Sequence, residues 1–132
     1  MLSVLYIEDN PSNARLVQRL VDRRSTVGLQ IAFTGAEGLR LATRLRPDLV
    51  LLDLHLPDLP GEVVLDRLRA LPGLSRMAVV VLTAAATAAT TEMLLTRGVT
   101  EKLTKPLDVR AFYDQLDRVQ AQLTPQQRTQ AC

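Results

Sequence analysis

Five short apolar runs alternate along the chain with five longer segments of helical period. The runs Leu2–Ile7, Leu29–Phe33, Asp48–Asp53, Met77–Thr83 and Thr100–Thr104 predict strands. Between them, Leu16, Val17, Leu20 and Val21 form one helical stripe, Leu41, Ala42 and Leu45 a second, and Val64, Leu65, Leu68 and Leu71 a third. Val109, Phe112, Leu116, Val119 and Leu123 give the clearest stripe, in the last helix. The segment Ala84–Thr96 is the weakest helix because its Ala/Thr composition gives little amphipathic contrast, and Met93-Leu94-Leu95 within it reads as helix core. Punctuation supports these bounds. Asn10-Pro11 places a capping side chain before a proline at the first helical position. Thr34 with Glu37 forms a capping box, Asp108 caps the last helix, and Gly98 stands where a helix stops.

Strict alternation of strand and helix implies an α/β fold, a parallel sheet with helices on both faces. The first, third and fourth strands are nearly continuous apolar runs, as burial on both faces requires. The second and fifth carry Gln30 and then Glu101 and Lys102, which assigns them to the edges. That division fits a flavodoxin-like (βα)5 three-layer sandwich with sheet order 2-1-3-4-5. One domain over residues 1–124 is expected, with 125–132 a flexible, polar C-terminal tail containing Pro125.

Composition narrows the class. With 47% apolar and 23% charged residues in 132, the chain has enough material for one core. Aromatics at 3% leave that core to Leu, Val and Ala. The apolar runs are far shorter than the ~20 residues that span a bilayer. No charged-then-apolar leader precedes the first strand, and Cys132 alone excludes an internal disulfide, so the expected setting is the cytoplasm, with no membrane. The net charge of +2 invites a nucleic-acid reading. The basic residues are scattered, with Arg23-Arg24 the one adjacent pair, and stacking aromatics are few, so no nucleic-acid partner is expected.

Ligands of such sheets bind beyond the carboxyl ends of the strands. Glu8 and Asp9 end the first strand, Asp53 the third and Thr83 the fourth, and Lys105 follows the fifth. Three carboxylates, a hydroxyl and an ammonium thus meet at one rim. Crowded carboxylates resist ionising unless a cation offsets them, and a hard divalent ion such as Mg²⁺ suits oxygen donors. Mg²⁺ takes few carboxylates and completes its shell with water and phosphate oxygen, which implies an oxyanion partner held by Lys105 and Thr83. A carboxylate is itself a competent nucleophile toward phosphorus.

The segments Tyr6-Ile7-Glu8-Asp9-Asn10, Leu51-Leu52-Asp53-Leu54-His55-Leu56-Pro57, Leu82-Thr83-Ala84 and Leu103-Thr104-Lys105-Pro106 resemble the four signatures of response-regulator receiver domains, possessed here in order from about Leu2 to Leu123. The resemblance implies that Asp53 accepts a phosphoryl group from a sensor histidine kinase or a histidine phosphotransfer protein. It implies Mg²⁺ bound by Asp9, Asp53 and the backbone carbonyl of His55, with Glu8 acting through a coordinated water. It further implies Thr83 and Lys105 on the phosphoryl oxygens, a cis Lys105–Pro106 bond, a downstream protein partner, and a monomer or weak dimer. Such a module is no enzyme beyond its own phosphorylation and dephosphorylation. One departure stands out. Relatives usually carry Tyr or Phe where this chain has Lys102, which is expected to snorkel to solvent or form a salt bridge. His55 and Ala85 occupy positions at which relatives vary. Hybrid histidine kinases contain receivers with a similar Ile-Glu-Asp-Asn opening, so both a stand-alone receiver and an excised domain fit.

Three rival readings fit less well. A haloacid-dehalogenase-like phosphatase needs a second Asp two residues after Asp53, where this chain has His55. A pseudo-receiver would lack part of the site, whereas all the expected side chains are present. A dinucleotide binder would need a glycine-rich loop after the first strand, and Glu8-Asp9-Asn10-Pro11 is acidic instead.

Overall fold

The computed structural model describes residues 1–84 and 87–123. Strands β1 (Leu2–Ile7), β2 (Val27–Ala32), β3 (Leu49–Asp53), β4 (Ala78–Thr83) and β5 (Glu101–Thr104) alternate with helices α1 (Pro11–Asp22), α2 (Gly35–Leu45), α3 (Gly61–Ala70), α4 (Ala88–Thr96) and α5 (Val109–Gln122). Every pairing is parallel and the order is β2-β1-β3-β4-β5, as expected. Alternation along the central strands splits the core in two. Val4 and Tyr6 with Leu49, Leu51, Val80 and Leu82 face α1 and α5, meeting Val17, Leu20, Phe112 and Leu116. Leu5 and Ile7 with Val50, Leu52, Val79 and Val81 face the other side, meeting Ala42, Val64, Leu65, Leu68 and Leu94. The result is a helix–sheet–helix sandwich whose central strands are buried on both faces.

Strand limits move where neighbours decide them. β2 runs Val27–Ala32 rather than Leu29–Phe33, because its register against β1 pairs Leu2 with Val27 and Ile7 with Ala32. Gly28 masks this start, and Phe33 leaves the sheet with 45% of its surface exposed. β3 begins at Leu49 because the Asp48 carboxylate accepts the Ser3 N–H (2.8 Å) while the Asp48 N–H donates to the Ser3 carbonyl. β4 begins at Ala78, since the Met77 N–H closes a turn onto Leu74. β5 begins at Glu101, although Thr100 already exchanges hydrogen bonds with Val79 through its N–H and its hydroxyl.

Four of the five helical stripes are narrower than the apolar sequence suggests. Leu16, Leu45, Leu95 and Val109 lie on exposed flanks, so within Met93-Leu94-Leu95 Leu94 is buried, Met93 packs beside the core and Leu95 faces outward. The buried α1 positions, Ala14, Val17, Leu20 and Val21, follow the three-and-four spacing that Leu16 breaks. The caps sit where expected. Asn10 accepts from the Ser12 and Asn13 N–H groups, Thr34 from Glu37 and Asp108 from Ala111. α4 stops before Gly98, which takes a positive φ of 72°. Ala85 and the 125–132 tail lie outside the described residues. No helix among the described residues is long and apolar enough to cross a membrane.

Two polar contacts brace the loops. Asp58, in the connection after β3, accepts the Gly35 and Ala36 N–H groups at 2.8 and 2.9 Å and so caps α2 from a distant segment. Arg69 at the end of α3 donates to the carbonyls of Ser75, Met77 and Gly98, joining α3 to the turns before β4 and β5.

Gly38 shows how closely α2 approaches the sheet. A Cβ there would lie 2.4 Å from Ile7 Cδ1 and 2.7 Å from Cγ1 of the same buried side chain. Helix propensity alone favours Gly38→Ala by about 1 kcal/mol. Overpacking opposes it by roughly 1–3 kcal/mol, and net destabilisation is expected in urea unfolding; a stabilised variant would contradict this packing.

Candidate functional site

Parallel register brings the strand ends to one rim. Ile7 pairs with Leu52 and Asp53 with Leu82, so Glu8 and Asp9 leave β1 beside the last residue of β3. Thr83 pairs with Thr104, and the Lys105 N–H donates to the Thr83 carbonyl at 2.9 Å, which sets Lys105 over the same end. Glu8, Asp53 and Thr83 are buried, whereas Asp9 is exposed. One carboxylate oxygen from each of Glu8, Asp9 and Asp53 lies within 4.8 Å of the others.

The Lys105 ammonium bridges two of these groups, 3.1 Å from Asp53 Oδ2 and 3.5 Å from Glu8 Oε1. Asp53 Oδ1 accepts the His55 N–H at 3.0 Å. Glu8 Oε1 also accepts from the Tyr6 hydroxyl at 3.0 Å and from Asn13 Nδ2 at 2.8 Å. Among the described residues no donor reaches Glu8 Oε2, although the atom is buried. A buried carboxylate oxygen without a donor is costly in isolation and marks a place for a proton or a cation.

Electrostatics divides the buried carboxylates. Burial, then a shared hydrogen bond with Asp53, pushes Glu8 up to about 7. Burial alone would raise Asp53 too, but hydrogen bonds from Glu8, the His55 N–H and Lys105 hold it below the usual carboxylate range. Without a cation, a proton therefore favours Glu8 over Asp53. The Tyr6 phenol is pushed far upward by burial and by the Glu8 charge, so it remains a hydrogen-bond donor. The all-oxygen donor set and the orphaned Glu8 Oε2 fit a hard divalent cation.

The other expected residues fall on the rim or behind it. The His55 side chain is exposed, and its backbone forms a bridge with Pro60. The Lys105–Pro106 bond is cis. Lys102 meets a hydroxyl of the neighbouring helix. It is half-buried, and its ammonium donates to Thr91 Oγ1 on α4 at 2.6 Å, because the α4 hydroxyl lies within reach of the edge strand. Tyr6 and Asn13 went unrecognised as site residues in the sequence, Asn13 reading as a polar position on the helix face. The available signal was the two-residue spacing of Tyr6 and Glu8, which puts both on one face of β1.

Residues 4–117 match the family model of the response regulator receiver domain. The signal transduction histidine-protein kinase BarA of Escherichia coli (strain K12) is 27% identical over 117 residues, which cover 89% of this chain and 13% of that kinase. The chain thus spans only about an eighth of the length of that relative. The polar-differentiation response regulator DivK of Brucella anthropi is 31% identical over 85% of this chain and 90% of its own length. Among solved structures, the receiver domain of sensor histidine kinase PA1611 from Pseudomonas aeruginosa PAO1, with a magnesium ion coordinated in its active-site cleft, superposes with a TM-score of 0.79. It is 29% identical and the match covers 89% of this chain and 95% of that one.

The raised Glu8 value has a consequence for stability in EDTA. Between the ordinary carboxylate range and about 7, the folded state binds a proton that the unfolded state has lost. Stability therefore falls as pH rises through that window. Asp53 acts in the opposite sense, its contribution being lost in acid as pH falls through its lowered value. Thermal melts in EDTA are expected to decline between about pH 5 and 8 for the wild type and to be flatter for Glu8→Gln. A divalent cation should raise the wild-type midpoint more at the alkaline end, since it displaces that proton.

Proposed function

Because the chain belongs to the response regulator receiver domain family, we propose that Asp53 is its phosphoacceptor and takes a phosphoryl group from a phosphohistidine. Receiver domains are modules of two-component signalling rather than enzymes in the usual sense, and this one carries the acidic pocket. The observation that carries the reading is the contact of Lys105 Nζ with Asp53 Oδ2 at 3.1 Å, beside two further carboxylates. It supports an ionised carboxylate with a cation already placed where phosphoryl charge would arrive.

In the proposed step a carboxylate oxygen of Asp53 forms a bond to phosphorus as the phosphorus–nitrogen bond to the donor histidine breaks. The departing imidazole nitrogen keeps the electron pair. The His55 N–H and Lys105 hold the Asp53 carboxylate in orientation, so the reaction needs little rearrangement of the nucleophile. Lys105 then pairs with a phosphoryl oxygen, and the buried Thr83 hydroxyl donates to another. Glu8, Asp9, Asp53 and the His55 carbonyl are the proposed holders of Mg²⁺, which when bound supplies positive charge to the phosphoryl oxygens. The magnesium of the similar Pseudomonas receiver supports that ion. The pseudo-receiver alternative is not favoured by a pocket in which the three carboxylates come together.

The proposed donors are a sensor histidine kinase or a histidine phosphotransfer protein, the proposed setting is the cytoplasm, and the output is a protein partner that reads the changed surface. New phosphoryl oxygens would draw Thr83 toward them and bias the connection between β4 and α4. Here Lys102 ties β5 to α4 through Thr91, where relatives place an aromatic ring.

Asp53→Asn is expected to abolish phosphate incorporation from acetyl phosphate with Mg²⁺, read by intact mass; incorporation on that variant would refute the assignment. Amide spectra with and without beryllofluoride are expected to shift little along Glu101–Thr104, because a lysine tether rather than a mobile ring occupies this strand. Large shifts there would count against the restrained strand.

A further inference from the structure

Three donors converge on a single oxygen of Glu8, and among the described residues none reaches the other. Tyr6 Oη lies 3.0 Å from Oε1, Asn13 Nδ2 lies 2.8 Å from it, and Lys105 Nζ approaches to 3.5 Å. The donors come from β1, from the first turn of α1 and from the segment after β5, so they surround Oε1 from three directions. Both Tyr6 and Glu8 are essentially inaccessible, at 1% and 0% exposure. A buried carboxylate with one saturated oxygen has little freedom to rotate, because turning it would strip Oε1 of its partners.

We propose that Tyr6 is a positioning residue which, with Asn13, locks Glu8 so that Oε2 is offered to the coordination sphere of a divalent cation. The inference rests on the reading of this rim as a cation-assisted phosphoacceptor site and adds what prepares the rim for the ion. Tyr6 is not among the residues proposed to hold the cation or the phosphoryl group. Its hydroxyl acts through Glu8 alone, while its ring fills the core beside Val17 and Leu82. Partners that orient metal-binding side chains commonly account for about tenfold or more in metal affinity. Tyr6→Phe keeps the ring and deletes the one donor, which makes it the natural probe.

The experiment measures Mg²⁺ binding to the unphosphorylated protein by calorimetry, alongside thermal melts in EDTA. Tyr6→Phe is expected to weaken Mg²⁺ binding about tenfold, Asn13→Ala similarly, and the pair of changes more than either alone. A further readout comes from Tyr113→Phe, which leaves Tyr6 as the sole fluorophore of a chain that has two tyrosines and no tryptophan. Its emission is expected to change along the same Mg²⁺ titration curve as the calorimetric signal. A merely structural role would lower the melting point of Tyr6→Phe in EDTA and leave its Mg²⁺ affinity equal to wild type, and that result would overturn the proposal. Wild-type protein that binds no Mg²⁺ would overturn the cation-assisted reading as well, and the wild-type arm alone distinguishes that failure from the first.

Discussion

Carboxylates that meet within 4.8 Å repel one another, and the carboxyl rim of the sheet is organised around that repulsion. A single ammonium, Lys105, stands between Asp53 and Glu8, and it cannot neutralise three charges. The remainder is handled by difference. Asp53 collects donors and stays ionised, whereas Glu8 is buried with one oxygen unserved and rises toward neutrality. Much of the surrounding architecture serves this asymmetry. The parallel register sets the three strand ends side by side, and the Lys105 N–H bond to Thr83 fixes the height of the ammonium. The connection after β3 is held by Asp58 on the amino end of α2, a few residues beyond Asp53.

Fold and rim were legible in the sequence for related reasons. Central strands must be apolar on both faces, so Val79–Leu82 and Leu49–Leu52 announced their places, and Gln30, exposed in the structure, marked an edge. Strand order then delivered Glu8, Asp9, Asp53, Thr83 and Lys105 to one end. What escaped depended on contacts between segments. Gly28 hides the start of β2, which only pairing with β1 reveals. Leu16, Leu45, Leu95 and Val109 extend the apolar arcs of their helices beyond the surface that the sheet covers. Tyr6 looked like one more core residue of β1, because its ring packs as expected and only the hydroxyl reaches Glu8. Lys102 was read as a solvent-facing or ion-paired lysine because its acceptor, Thr91, belongs to the helix with the faintest pattern.

That helix differs from its neighbours in what attaches it. α1, α3 and α5 each bury several side chains against the sheet, α2 buries Ala42 and brings Gly35 and Gly38 close, and α4 buries Leu94. Met93 packs beside it, and polar contacts add to these among the described residues. Lys102 holds Thr91 near its first half, Arg97 at its C-cap pairs with Asp66 of α3 at 3.3 Å, and Arg69 grips the Gly98 carbonyl just beyond.

Packing of this kind has a mechanical consequence. Displacing a helix rooted in the core opens a void, and the free-energy penalty grows with the volume vacated. α4 has Leu94 and the partly buried Met93 to rehouse, and its polar ties are hydrogen bonds and an ion pair that water and salt replace with little penalty. Its position is therefore set by switchable contacts as much as by volume. The sandwich combines a rigid floor with one loosely seated panel, and the panel stands directly after the strand that presents Thr83.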